Sequence, residues 1–169
     1  MKPVLYFITL IAFMITGCDS CKTTPNKNDN TPPAITWTIQ NRTQSTQTNL
    51  TGNASYNAKY GDDLLITACA EDDGGLQELV NYSNSSYTCR AGDIAQQTGP
   101  GLVVPTTTTL GLDKNGKAWK KFCVFMNMNL TFGCSSGFSF SSGSAGANLK
   151  ATNYAGLSAS GTLSISVSK

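Results

Sequence analysis

Hydrophobic and polar positions alternate with a period of two along most of this chain, and helical spacing is nowhere sustained, so the pattern predicts strands. Residues 34–39 place Ile35, Trp37 and Ile39 on one face. Residues 61–73 give the clearest strand, with Leu64, Ile66, Ala68 and Ala70 inward. Asp72, Asp73, Gly74 and Gly75 are expected to break it sharply, and residues 76–82 to resume with Leu76, Val80 and Tyr82 inward. Residues 119–128 form a second strong strand, with Phe122, Val124, Met126 and Met128 on one side and Cys123 and Phe125 on the other. Both of its faces are apolar at the centre, which predicts an interior strand.

Between these elements the pattern weakens. Residues 41–59 are polar and read as an irregular edge or long loop with a short strand near Tyr56. Residues 102–112 read as an edge strand, because Pro105 lacks an N–H to give to a ladder. Asp113 to Lys117 reads as a hairpin turn, with Asn115-Gly116 suited to positive φ. Residues 83–101 and 130–147 are dense in Ser, Asn and Gly and read as two inserts, the second holding a short Phe138-Ser139-Phe140 hairpin. Inserts of this kind are where binding usually resides.

The N-terminus follows a different plan. Residues 4–15 form an apolar run of about twelve residues behind Lys2, the length of a signal-peptide core. A membrane span needs roughly 20 residues. Ile15-Thr16-Gly17-Cys18 follows it and resembles a bacterial lipobox. The resemblance implies cleavage after residue 17 and a diacylglycerol on Cys18, which would tether the protein to a membrane of the cell envelope, on its periplasmic or outer side. Asp19 resembles the inner-membrane retention signal of some bacteria. Residues 18–33 carry three prolines and no large apolar side chain, so they are expected to be a flexible spacer.

The stretch from Gly61 through Glu71, Asp72, Asp73, Gly74, Gly75 and Leu76 is similar to the second-to-third strand segment of bacterial immunoglobulin-like and cadherin-like domains. The stretch from Leu149 through Asn153, Tyr154, Ala155 and Gly156 into Thr162 and Val167 resembles their final hairpin, with Asn153 where Asp is common and Leu157 where Asn is common. The resemblance implies an all-β, immunoglobulin-like antiparallel β-sandwich over residues 34–169, lengthened by the two inserts. It also implies that Glu71, Asp72 and Asp73 are the candidates for a calcium ion, against the plainer reading of a solvated turn. The Asp113-x-Asn115-Gly116 fragment has no Glu at the twelfth loop position and reads as a turn.

Composition narrows the chemistry. There is no histidine. Ser-His-Asp and Cys-His nucleophile systems and His-rich zinc centres are therefore excluded. A carboxylate-based hydrolase, needing two acids about 5 to 9.5 Å apart in a cleft, is the remaining enzymatic alternative; no catalytic residue is assigned. Cleavage removes Lys2 and leaves 11 basic against 10 acidic residues, which argues against nucleic acid. Cys69, Cys89, Cys123 and Cys134 are an even set in an oxidising setting. Sequence proximity favours Cys69 with Cys89 and Cys123 with Cys134. The main rival joins Cys69 to Cys123 and Cys89 to Cys134, and either scheme contributes about 3 kcal/mol per bridge.

The expected molecule is a monomeric, non-catalytic lipoprotein that displays its domain for adhesion or contact with an envelope or extracellular protein. The alternative is a module that binds a polysaccharide or small ligand through its inserts. Exposed aromatics clustered in the inserts would favour the alternative, and a smooth polar surface would favour adhesion.

Overall fold

The computed structural model describes residues 21–98 and 105–169. The signal segment and Cys18 lie outside the described residues, as do residues 102–104 of the expected edge strand. Among the described residues ten strands form in chain order: β1 (Lys22–Thr23), β2 (Ala34–Asn41), β3 (Thr46–Thr51), β4 (Ala54–Lys59), β5 (Asp63–Ala91), β6 (Ile94–Thr98), β7 (Thr106–Thr109), β8 (Ala118–Asn129), β9 (Ser139–Asn153) and β10 (Ser158–Ser168).

The 29-residue strand β5 runs through both halves of an all-β sandwich. Its first half pairs with β2 on one side and β8 on the other, and β3 and β1 extend that sheet at its two edges. Its second half pairs with β9 and, on the opposite side, with β7 and β6; β10 and β4 complete the second sheet. All pairings are antiparallel except β4 with β10, which is parallel. The division of β2, early β5 and β8 from late β5, β9 and β10 is that of an immunoglobulin-like sandwich. Packing between the sheets is close: a side chain on Gly161 of β10 would come within 2.7 Å of Ile35 Cγ2 on β2.

One core fills the gap, built from Trp37, Ile39, Leu64, Ile66, Leu149, Leu163 and Ile165, each with essentially no exposure. The buried Trp37 indole is satisfied by donating Nε1–H to the Gly52 carbonyl at 2.7 Å, as a polar group in a core must be.

The break expected at residues 72–75 is instead a kink in a continuous strand. Gly75 has φ of +91°, and a Cβ there would meet Ala118 Cβ at 2.5 Å, so glycine lets the chain bend and pass close to β8. A register shift between Leu76 and Glu78 then reverses the alternation. Even-numbered residues point inward up to Leu76, and Leu79, Asn81 and Ser83 do so beyond it. Val80 and Tyr82, expected inward, are therefore not core residues, and Tyr82 is exposed. A slip of one residue exchanges the two faces of a strand.

Three other expectations are corrected. Residues 46–51 are a paired edge strand whose mostly exposed polar side chains hid it. The two inserts are not loops in the main: residues 82–90 and 139–148 pair with each other as the far halves of β5 and β9. Their small side chains suit a crowded sheet, since a Cβ on Gly146 would touch Asn84 Oδ1 at 2.5 Å. Residues 113–117 do form a turn, held by Asn115 and Lys117 amides donating to Asp113 Oδ1, but it joins β7 in one sheet to β8 in the other and closes no hairpin. Those two amides hold the Asp113 carboxyl below its ordinary range.

Cys69 is bonded to Cys123 and Cys89 to Cys134. The pairing favoured by sequence proximity fails because Cys69 and Cys89 lie in opposite halves of the same strand and cannot meet. Cys69 and Cys123 are direct partners on β5 and β8, with Cα atoms 4.0 Å apart.

Residues 21–33, expected to be part of a free spacer, are laid against one end of the sandwich. β1 pairs with Ala118 and Trp119, and Lys22 Nζ stands 3.4 Å from the centre of the Trp119 ring. Lys117 Nζ donates to Thr24 Oγ1 at 2.7 Å, Thr23 Oγ1 to the Asp73 carbonyl at 2.8 Å, and the Asn26 amide to the Gly74 carbonyl at 2.9 Å. Further along, Asn153 Nδ2 donates to the Thr31 carbonyl at 3.0 Å, and Pro33 is buried.

Candidate functional site

The three acids singled out in sequence do not converge. Alternation along β5 puts Glu71 and Asp73 outward, where they pair with Lys121 at 3.1 Å and Lys120 at 2.6 Å, and turns Asp72 inward. Among the described residues, no three metal-ligating side chains come together. Asp72 is buried, accepts the Gly74 amide on Oδ1 at 2.9 Å, and accepts Asn153 Nδ2 on Oδ2 at 3.2 Å. Asn153 also holds the β9–β10 turn by accepting the Ala155 and Leu157 amides. Its amide supplies a donor to Asp72, which an aspartate at that position could not do without a proton or a cation.

Asp72 does meet one acid, Asp29 of the docked segment, whose carboxylate occupies the space that a side chain on Gly74 would need. Burial pushes the Asp72 carboxyl up, and the neighbouring Asp29 charge adds to it. The Thr31 hydroxyl and amide hold Asp29 down. Asp72, with its raised pKa, contributes stability that is full below the ordinary value of 3.8 and is lost as pH rises through the shifted one. Asp29 contributes in the opposite sense, full above 3.8 and lost as pH falls through its lowered value. Relative to the native protein, Asp72→Asn is therefore expected to unfold at a progressively higher temperature as pH goes from acid to neutral, which thermal unfolding followed by circular dichroism will read.

The side chains that form an open site lie at the other end of the sandwich. There the chain turns between β4 and β5 at Tyr60, and between β8 and β9 over residues 130–138. Tyr60 stacks on Phe140 with centroids 4.7 Å apart, Phe140 on Phe132 at 5.4 Å, and Phe132 on Tyr87 at 4.8 Å. Tyr60 Oη donates to the Phe132 carbonyl and Tyr87 Oη to the Gly133 carbonyl, so both tyrosines fasten the β8–β9 loop. The Cys89–Cys134 bond fastens the same loop to β5.

This framework walls a shallow cleft of about 450 Å³, lined by Tyr60, Phe132, Phe138, Phe140, Ser139 and Lys169 with the Gly133-Cys134 backbone. Tyr60 is 42% exposed, and Phe138 stands partly exposed outside the ring stack. The exposed Tyr60 and the partly exposed Phe138, with the polar groups of Ser139 and Lys169 and a pinned loop, give a pre-organised, partly apolar surface with polar groups at its edge. No Asp or Glu side chain is among its lining residues.

The alternative reading from sequence placed binding in the two inserts, and Tyr87 lies in the first and Phe132, Phe138 and Phe140 in the second. It did not find Tyr60, which lies far from both; the one local signal was an aromatic residue directly before the Gly61-Asp62 turn. Trp37, expected in the core, is there, whereas Trp119 lies half-buried under Lys22 at the opposite end. No protein-family model matches the chain, and no curated protein matches it in sequence.

Proposed function

We propose that the protein is a lipid-anchored, non-catalytic cell-envelope protein whose immunoglobulin-like domain binds polysaccharide through the Tyr60–Phe138–Phe140 cleft. The observation that carries the reading is the ring cluster: aromatic side chains from the β4–β5 turn, the β8–β9 loop and the start of β9 line one open cleft, with Tyr87 of β5 stacked on Phe132, instead of leaving a smooth polar surface. Aromatic faces match the C–H face of a sugar ring, and Ser139 and Lys169 are placed for its hydroxyls. The lipobox-like Ile15 to Cys18 and the paired cysteines support an exported, membrane-held protein.

The test is adsorption of the purified protein to insoluble envelope or extracellular polysaccharide. Native protein is expected to bind, and Tyr60→Ala with Phe138→Ala to weaken binding at least tenfold, since loss of about 1.4 kcal/mol over two rings suffices. Equal binding by both would remove the cleft from the account. Binding of native protein to envelope proteins but to no polysaccharide would return adhesion to first place.

A further inference from the structure

We infer that the domain stands end-on upon the membrane that holds its lipid, with the 113–117 turn against the headgroups and the aromatic cleft facing away. This rests on the anchoring at Cys18 proposed above. Its new content is the orientation, which follows from the docked segment.

A free tether of residues 18–33 would leave the domain at no fixed height or angle. The fold takes up that slack. From residue 21 onward the chain is tied to the body by the β1 ladder, the Lys22–Trp119 contact, the Asn26–Gly74 bond and the Asn153–Thr31 bond. Three Cα–Cα steps separate Cys18 from Cys21, a reach of at most about 11 Å. A lipid on Cys18 therefore holds this end of the sandwich next to the bilayer.

The surface beside β1 has the chemistry for that contact. Leu112 is 49% exposed and is followed by the exposed Lys114 and Lys117. Lys22 reaches the same turn through Asp113 at 3.9 Å, which fixes the turn beside the chain's point of entry. An apolar side chain for the headgroup boundary with lysines around it for lipid phosphates is the composition of a peripheral membrane contact. The cleft lies at the far end of β10, whose 11 residues span roughly 35 Å at about 3.3 Å each. Its ligand would be met well clear of the bilayer.

The experiment uses the full lipidated protein in vesicles containing acceptor-labelled headgroups, with donor dyes attached at Asn115→Cys or at Ser136→Cys in a Cys21→Ser background. Flotation with the vesicles is scored first. Protein that does not float overturns the anchor, and the orientation with it. In floating protein, energy transfer from position 115 is expected to exceed that from position 136 severalfold. Inserting about twelve Gly and Ser residues between Ser20 and Cys21 should abolish the difference, because a flexible linker of that length frees the domain to tumble. Equal transfer from both positions without the insertion would overturn the orientation while leaving the anchor standing.

Discussion

Replacing Cys89 and Cys134 together by serine is expected to lower stability by about 4 kcal/mol and to abolish ligand binding, whereas replacing Cys69 and Cys123 is expected to cost a similar amount and leave binding intact. The two bridges span 45 and 54 residues, so the chain-entropy model gives each about 4 kcal/mol. Their native-state roles differ. Cys69 and Cys123 are already neighbours in a ladder of β5 and β8, which holds their strands together without the bond. Cys134 lies in the loop that walls the cleft, and Cys89 is almost fully buried beneath it. Cutting that bridge leaves the 132–134 part of the loop tied by the two tyrosine hydroxyl bonds and the stacking of Phe132 on Tyr87 and Phe140, with backbone bonds at Leu130. Denaturant unfolding reads the first effect and polysaccharide adsorption the second. Matching losses of binding in both double variants would mean that the bridge acts through global stability alone.

Asp62→Ala is expected to cost about 3 kcal/mol. The carboxylate is 3% exposed and closes the β4–β5 turn by accepting the Asn41 amide at 2.8 Å, the Lys59 backbone N–H at 2.9 Å and Gln44 Nε2 at 3.1 Å. Truncation strands the buried Asn41 donor and the Lys59 N–H, each worth about 1 to 3 kcal/mol when left unmade, and some of that returns through solvent entry. Asp62→Asn keeps one acceptor and is expected to lose about half as much. Urea denaturation measures both. Because Tyr60 is two residues away in the same turn, the alanine variant should also weaken adsorption, and the asparagine variant less so.

The sandwich was legible because its central strands keep a strict alternation. Ile35, Trp37 and Ile39, then Leu64 through Ala70, then Val124 to Met128, each announce a buried face, and each is where the pattern puts it. The errors share a physical cause. Strand propensity is a preference for half-buried pleated surface, so β3, whose side chains mostly face solvent, carries little hydrophobic signal. Beyond Phe140 the far half of β9 carries little as well, because its glycines, serines and alanines suit close approach to β5 and β10 rather than burial of large side chains. The bulge after Leu76 cannot be read from composition, and missing it turned Val80 and Tyr82 to the wrong face. The favoured disulfide scheme failed for a related reason: treating 72–75 as a break made two strands out of one.

The site was legible only in part. Phe138 and Phe140 could be seen as an alternating pair, but nothing local to Tyr60 or Tyr87 says that the topology brings them to the same end. The acids at 71–73 are candidates by the resemblance to an inter-strand loop, but they lie on a continuous strand, where alternation separates consecutive side chains. The docked segment was hidden by its composition. Proline and asparagine read as spacer, yet Asp29, Thr31 and Asn26 work here as local hydrogen-bonding groups that fit the end of the sandwich.

The measurement that tests the central claim most directly is an amide-and-aromatic chemical-shift titration of the purified protein with soluble fragments of envelope or extracellular polysaccharide. The account predicts that saturable shifts gather on Tyr60, Phe132, Phe138, Ser139 and Phe140, with the Asn26, Gly74 and Asn153 end unmoved and the fragments recovered uncut. Shifts gathered elsewhere on the sandwich, or fragments shortened during the titration, would contradict it.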